Sequence, residues 1–482
     1  MLTLIRKHRW WFAGVALAAV LLRLFFIWKM ALVTDDSVFY GDIARSLLHG
    51  HGFGVAGASG WQPTLSRLPG YPLFLAFSFL IGGESNYRAA MLLQLVFDLL
   101  SCFLVADVAR RTVGAAAART AFLLAAVCPF LMNYVAAPLT ECLEIFCLAA
   151  ALDCALAALD STQETGLQGR ALGWWTLCGI SCAGATLLRP DGGLILAGIA
   201  LPVAALGWRD NAWRDNAWRA RQRRRELFRG IVLVGTLSLA PLLPWTIRNW
   251  RVFHVFQPLV NTRASDPGEF VPHGWERWLR SWLIDYASVE DVAFQVQGQP
   301  IDPADIPARA YSSEAQRVQV LGLLDQYNAH CTMTPELDRQ FAELAARNIR
   351  LHPVRYYLLL PAARTLDMWL RPRTELMPLD THFWKFAEDP HDSLCALALG
   401  ALNLAYVAAA LAGAWVMRRR MKYLALLLAY PLLRSLFLAT TGAAEDRYTL
   451  ECFPFVLVLA AGFLSWWQGR RTAGARKAQS SR

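Results

Sequence analysis

The stretch T-D-D-S-V-F-Y-G-D-I-A-R-S-L-L-H-G-H-G-F-G, residues 34–54, follows the first apolar run and carries the carboxylates best placed for chemistry. Asp36, Tyr40 and Ile43 fall at i, i+4 and i+7, one face of a short helix for which Thr34 is an N-cap. Carboxylates at a membrane boundary are costly when desolvated, so Asp35 and Asp36 need a reason to be there. Held close to a hydroxyl or amine, such a carboxylate works as a general base. At a solvated helix start it instead meets the helix dipole favourably. The motif alone allows both readings.

A second motif, R-L-P-G-Y-P at 67–72, places Arg67 and Tyr71 around a turn fixed by Pro69 and Pro72. A guanidinium forks onto two phosphate oxygens; an Arg at an interface also snorkels without any ligand. Further polar clusters are Thr140-Glu141 with Glu144, Arg189-Pro190-Asp191, Pro244 to Asn249, His352-Pro353 with Tyr356, and Glu445-Asp446-Arg447-Tyr448. A cavity with acids at one point and Arg67, Arg189, Arg248 and Arg447 around it suits an acidic, lipid-linked substrate. The guanidiniums would neutralise a phosphate, apolar walls would hold the isoprenoid chain, and the acid would deprotonate an acceptor.

The elements that must position these residues follow from composition. Of 482 residues, 56% are apolar and only 17% charged, with 19 Trp and 25 Phe. Mean hydropathy is +0.32. Such a chain has too few polar side chains to cover a water-soluble core of this size, which leaves an all-α polytopic membrane protein. The net charge of +10 is concentrated in basic runs at Arg6–Arg9, Arg110–Arg111, Arg219–Arg225, Arg418–Lys422 and Arg470–Arg482. Each run abuts an apolar stretch, the pattern of cytoplasmic flanks rather than of a nucleic-acid partner. None of the ten cysteines forms a CxxC pair, and nine sit in or beside apolar runs as packing residues.

Residues 10–32 read as a first span leaving the cytoplasm, too long for a cleaved signal peptide. Further spans are expected at 88–109, 114–132, 139–158, 172–188, 191–207, 230–247, 393–416, 422–440 and 450–467. The Tyr71–Ile81 run is too short to cross, and residues 354–370, with Arg355, Arg364 and Asp367, fit an interfacial helix. By the positive-inside rule the polar clusters then share the extracytoplasmic side with Asp36. This gives an N-terminal module at 1–250 with its first outside loop at 34–87, an extracytoplasmic helical region at 251–392, C-terminal spans at 393–468 and a basic cytoplasmic tail at 469–482. Helices are expected at Ser312–Tyr327 and Thr334–Ile349, the latter with Pro335 at its first position. Trp275, Trp278 and Trp282, at i, i+3 and i+7, read as an aromatic belt on the membrane surface in preference to a sugar-stacking platform. A five-residue repeat, WRDNA, lies within 208–220.

The ordered set D-S-x-x-Y-x-x-x-A (36–44), G-H-G-F (50–53), R-x-P-G-Y-P (67–72), T-E (140–141), L-x-R-P (187–190), P-W-x-x-R-N (244–249) and R-Y (447–448) resembles the integral-membrane GT-C glycosyltransferases, over about residues 8–465. The branch most similar is that of protein O-mannosyltransferases and lipid A aminoarabinose transferases, glycosyltransferase families 39 and 83. The resemblance implies a helical bundle of about 10–11 spans with juxtamembrane helices. It further implies inverting transfer of a sugar from a polyprenyl phosphate to an extracytoplasmic lipid, glycan or protein, at the outer face of a bacterial inner membrane. Its register assigns the catalytic carboxylate to Asp36, with Asp35 in reserve. Substrate binding falls to Arg67, Tyr40, Tyr71, Glu141, Arg189, Arg248, Arg447 and Tyr448, with Arg67 the first phosphate ligand. Ser37 stands where many members have Glu. Some relatives bind a divalent metal near the carboxylate, for which Asp36, Glu141, His49 and His51 are the available ligands. The competing class is a lipid-linked sugar flippase or transporter, which would show repeats and midplane polar residues; a non-catalytic scaffold would not need Asp36.

Overall fold

A computed structural model describes residues 1–57, 60–209, 217–261, 265–296 and 298–480. The repeat within 208–220 falls largely on 210–216, outside the described residues. The chain is helical almost throughout; the described strands are one antiparallel hairpin, Gly54–Gly57 with Gly60–Pro63. It divides into two compact units. The first holds Met1–Pro267, Ala405–Leu433 and Leu450–Arg482, and the second Gly268–Leu404 and Arg434–Thr449.

Among the described residues seven helices are long and apolar enough to cross a bilayer, among them Arg9–Lys29, Tyr87–Thr112, Glu141–Glu164 and Pro390–Met417. The count reaches eight if the pair Ala115–Ala126 and Pro129–Val135, bent by 52°, is one span. Pro129 supplies no N–H to carry the first of these helices onward, which explains the break. Two of the ten expected spans, both near the C-terminus, are not among these helices. The 422–440 run forms only Leu424–Leu438, 15 residues with Pro431 inside, short of the 17–25 that a span needs. The 450–467 run begins the Phe453–Ser480 helix, whose apolar start packs among its neighbours as that of Glu141–Thr165 does. Neither Gly70–Gly82 nor Leu360–Leu370 is among the seven. The latter, with the turn before it, leaves Tyr357, Leu358, Leu359 and Leu366 exposed and buries Arg364 and Met368, the pattern of a helix laid against lipid.

In the first unit the Glu141–Thr165 helix is central: 83% of its most apolar stretch is buried. It packs on Arg170–Leu188 and Tyr87–Thr112. A buried pair of charges ties the first span to this bundle. Arg23, fully buried, is ion-paired with Asp98 and donates to the carbonyls of Ala126 at 2.7 Å and Ala125 at 3.2 Å. Removing either charge would strand the other in the interior, a cost of about 3–5 kcal/mol.

In the second unit the expected helices are present as Glu314–Asn328 and Pro335–Leu351. Ser313 and Thr334 cap them, accepting from the N–H of Gln316 at 3.2 Å and of Leu337 at 3.3 Å. The tryptophan expectation is overturned. Trp275, Trp278 and Trp282 are at most 1% exposed and form the core of this unit with Phe341, Val320 and Leu324. The i, i+3, i+7 face is apolar in both arrangements; what decides is that the Pro335–Leu351 helix covers it. Trp278, whose ring lies 5.2 Å from that of Phe341, is fully enclosed, so Trp278→Ala is expected to destabilise the protein by about 3–5 kcal/mol. A denaturation midpoint equal to wild type in a detergent-solubilised sample would contradict this packing.

Candidate functional site

Asp36 is set by the capped start of the Asp35–Leu48 helix. Thr34 Oγ1 accepts from the N–H of Ser37 at 3.3 Å, and Ser37 Oγ accepts from the N–H of Thr34 at 3.2 Å. This capping box gives Ser37, buried in the structure, a structural task. The helix then runs close to Tyr87: a Cβ on Gly41 would lie 2.0 Å from the Tyr87 hydroxyl oxygen. Asp35 is exposed and forms no ion pair among the described residues. Asp36 is half-buried and takes a hydrogen bond from Arg67 Nη2 at 2.8 Å.

Arg67 comes from the turn before Gly70–Gly82. Gly70 is required there, because an added Cβ would lie 2.7 Å from the carbonyl oxygen of Leu187 and 3.0 Å from the nitrogen of Leu188. The turn thereby rests on the end of the Arg170–Leu188 helix, next to Arg189. Gly70→Ala is expected to cost about 1–3 kcal/mol through overpacking against backbone that cannot rotate away. A variant as stable as wild type in a thermal melt would show that the turn is not wedged there.

Arg67 donates to Asp36 and to the carbonyl of Ser66 at 3.1 Å. Its guanidinium lies over the rings of Phe39 at 4.9 Å and Tyr40 at 5.6 Å. Among the described residues two of its five N–H groups are thus engaged, which leaves three for a ligand. Tyr40 meets Tyr71 edge to face at 5.0 Å. Burial pushes the Tyr40 phenol up to about 12, with Arg67 working against that shift and Asp36 with it. Tyr40 is therefore a neutral hydroxyl at physiological pH. Tyr71 is fully buried and donates to Gln94 Oε1 at 2.6 Å. Gln94 Nε2 in turn donates to the carbonyls of Val135 at 3.2 Å and Ala137 at 2.9 Å, tying down the segment ahead of Glu141.

Arg189 joins four carboxylates. It lies 3.0 Å from Glu141, 3.4 Å from Asp191 and 3.5 Å from both Glu144 and Glu451. Burial opposes its charge, but Asp191, Glu451, Glu141 and Glu144 more than offset that and hold it protonated. The Gly70 turn that carries Arg67 rests on Leu187 and Leu188, which sets the Arg189 cluster beside the Asp36–Arg67 pair.

The structure thus brings together Asp36, Arg67, Tyr40, Tyr71, Glu141 and Arg189. Arg248 meets the segment that leads into Arg67 and forms no contact with Asp36 or Arg67 among those described. It donates to the carbonyls of Phe53 at 2.6 Å and Thr64 at 2.7 Å and so clips the hairpin loop in place. Arg447 and Tyr448 belong to the second unit, where both engage Glu445, Arg447 at 2.6 Å. The four available metal ligands do not form one set. Asp36 is on Arg67, Glu141 on Arg189, His49 on Glu84 at 3.0 Å, and His51 stacks on Trp61 at 5.5 Å. No three His, Cys, Asp or Glu gather into a metal site among the described residues.

Sequence reasoning missed Gln94 and Glu451. The signal for both was a polar side chain within or just before a long apolar stretch.

Residues 63–245 match the family described as dolichyl-phosphate-mannose-protein mannosyltransferase. Among solved structures, the Archaeoglobus fulgidus oligosaccharyltransferase AglB, in complex with an inhibitory peptide and a dolichol-phosphate, superposes with a TM-score of 0.53 at 15% identity, over 98% of this chain and 52% of that one. The chain shares the fold of this membrane oligosaccharyltransferase. The apo form of the same archaeal enzyme gives a TM-score of 0.50 at 14% identity, over 96% of this chain and 52% of that one. ArnT from Cupriavidus metallidurans bound to undecaprenyl phosphate gives 0.39 at 14% identity, over 97% and 79%. The chain spans about half the length of the oligosaccharyltransferase it matches. No curated protein matches it by sequence.

Proposed function

We propose that the protein is an inverting glycosyltransferase that moves a sugar from a polyprenyl phosphate to an acceptor on the extracytoplasmic side of a bacterial inner membrane. The observation that carries this is the Asp36–Arg67 pair, 2.8 Å apart, with Asp36 in the first turn of the first helix after the first span. It is supported by the mannosyltransferase family match, which covers Arg67, Tyr71, Glu141 and Arg189, and by the dolichol-phosphate of the archaeal oligosaccharyltransferase of like fold.

In this mechanism the carboxylate of Asp36 takes the proton from the acceptor hydroxyl or amine as that group attacks the anomeric carbon. The bond from the anomeric carbon to the phosphate oxygen breaks, and the electron pair leaves on the polyprenyl phosphate. Arg67 stands at that leaving group with its three remaining N–H groups, stabilising the charge that grows there. Arg189 is neutralised by its four carboxylates, so it holds Glu141 in place rather than meeting phosphate. Tyr40 supplies a neutral donor between the two clusters.

The test is the fate of donor supplied to purified, reconstituted protein. Release of free polyprenyl phosphate together with a glycosylated acceptor is the expected result. Movement of intact donor between leaflets, with no bond broken, would instead identify a carrier and defeat the transferase reading.

A further inference from the structure

The end of the first unit away from Asp36 holds a cavity that the transfer chemistry does not use. The Glu141–Thr165 helix carries Glu141 at one end and Asp160 near the other, roughly 28 Å along its axis at 1.5 Å per residue. That is about the hydrocarbon thickness of a bilayer. At the Asp160 end, Lys422 reaches Asp160 at 2.6 Å and donates its backbone N–H to the carbonyl of Thr112 at 3.1 Å. These contacts draw three helix ends together around a cavity of about 590 Å³, lined by Ala115–Ala117, Met417, Arg420, Trp466 and Arg470.

The cavity has two chemistries. Ala117 and Met417, both buried, form an apolar floor. Arg420 and Arg470 are exposed at the rim, and neither forms an ion pair among the described residues. Arg470 lies over the Trp466 ring at 4.5 Å, which holds its guanidinium at the mouth. Gly114, at a φ of 138°, starts the Ala115–Ala126 helix with no side-chain cap, so the first N–H groups of that helix face the same space.

The surroundings indicate a membrane boundary. Leu411 and Trp415, on the helix that ends at Met417, are each 68% exposed. Arg418 lies over Trp415 at 4.1 Å, Arg471 over Trp467 at 3.8 Å and Arg224 over Trp208 at 4.1 Å. Arginine on exposed tryptophan at helix ends is the pattern of the headgroup level. A phosphate on an acyl-chain lipid fits both the rim and the floor, whereas a free phosphate would use only the rim.

We propose that this cavity binds the phosphate of an anionic membrane lipid at the basic end of the bundle, on the opposite side from Asp36. The proposal is independent of the transferase reading.

The test is native mass spectrometry of the full-length protein in mild detergent, titrated with phosphatidylglycerol and, separately, phosphatidylcholine. Phosphatidylglycerol should bind more tightly, and the double variant R420A/R470A should lose about tenfold in that affinity. R418A/R471A, which removes the same charge outside the cavity, should retain it. Both pairs are exposed, so both variants should melt as wild type does. Equal phosphatidylglycerol affinity in wild type and R420A/R470A would overturn the proposal. So would equal losses in the two double variants, which would mean a diffuse charge effect. Displacement of the lipid by excess inorganic phosphate would assign the cavity to a soluble phosphate and overturn the lipid assignment.

Discussion

Asp36→Asn is expected to abolish sugar transfer while leaving the lipid donor bound. The amide keeps the size of the side chain and can still accept a hydrogen bond from Arg67 Nη2, now at 2.8 Å from the carboxylate. It cannot take up a proton at physiological pH. Loss of a positioned general base lowers turnover by about 10²–10⁴-fold, and donor affinity, which rests on Arg67, should change little. Quantifying released polyprenyl phosphate alongside equilibrium donor binding separates the two effects. Asp35→Asn provides the internal contrast: Asp35 is exposed and joins no ion pair among the described residues, so that variant should transfer at a rate close to wild type.

Arg67→Ala should fail in the complementary way. Its charge-assisted contacts to a phosphate are worth about 1.5–3 kcal/mol, so donor affinity should fall by roughly ten- to a hundredfold. Turnover should fall as well, because the same guanidinium serves the leaving group. Arg67→Lys keeps the charge but not the fork that reaches Asp36 and Ser66 together, and should recover binding only in part. A variant that binds donor as tightly as wild type but turns it over slowly would move the phosphate ligand to another residue.

Much of this is legible in the sequence. Asp36 stood out because a carboxylate immediately after an apolar span is costly unless used, and Arg67 because two prolines fix the turn it sits on. The helices of the second unit were legible from their caps, Ser313 and Thr334, since capping is local chemistry. What was not legible depends on partners distant in sequence. Arg248 has the same type and setting as Arg67, yet the carbonyls of Phe53 and Thr64 occupy it. Arg189 has among its carboxylates Glu451, 262 positions later, which no local pattern reveals. Trp275, Trp278 and Trp282 make one apolar face, and periodicity cannot say whether lipid or Phe341 covers it. Arg23 and Asp98 lie inside apolar runs and gave no signal that they pair.

The most direct test compares the cell-envelope glycans and lipids of cells expressing the wild-type chain with those of cells expressing Asp36→Asn at equal membrane abundance, by mass spectrometry. The account predicts a glycosylated product present with wild type and missing with the variant, and sugar-loaded polyprenyl phosphate accumulating in the variant. The same product in both, at the same level, would contradict the assignment of Asp36 as the base.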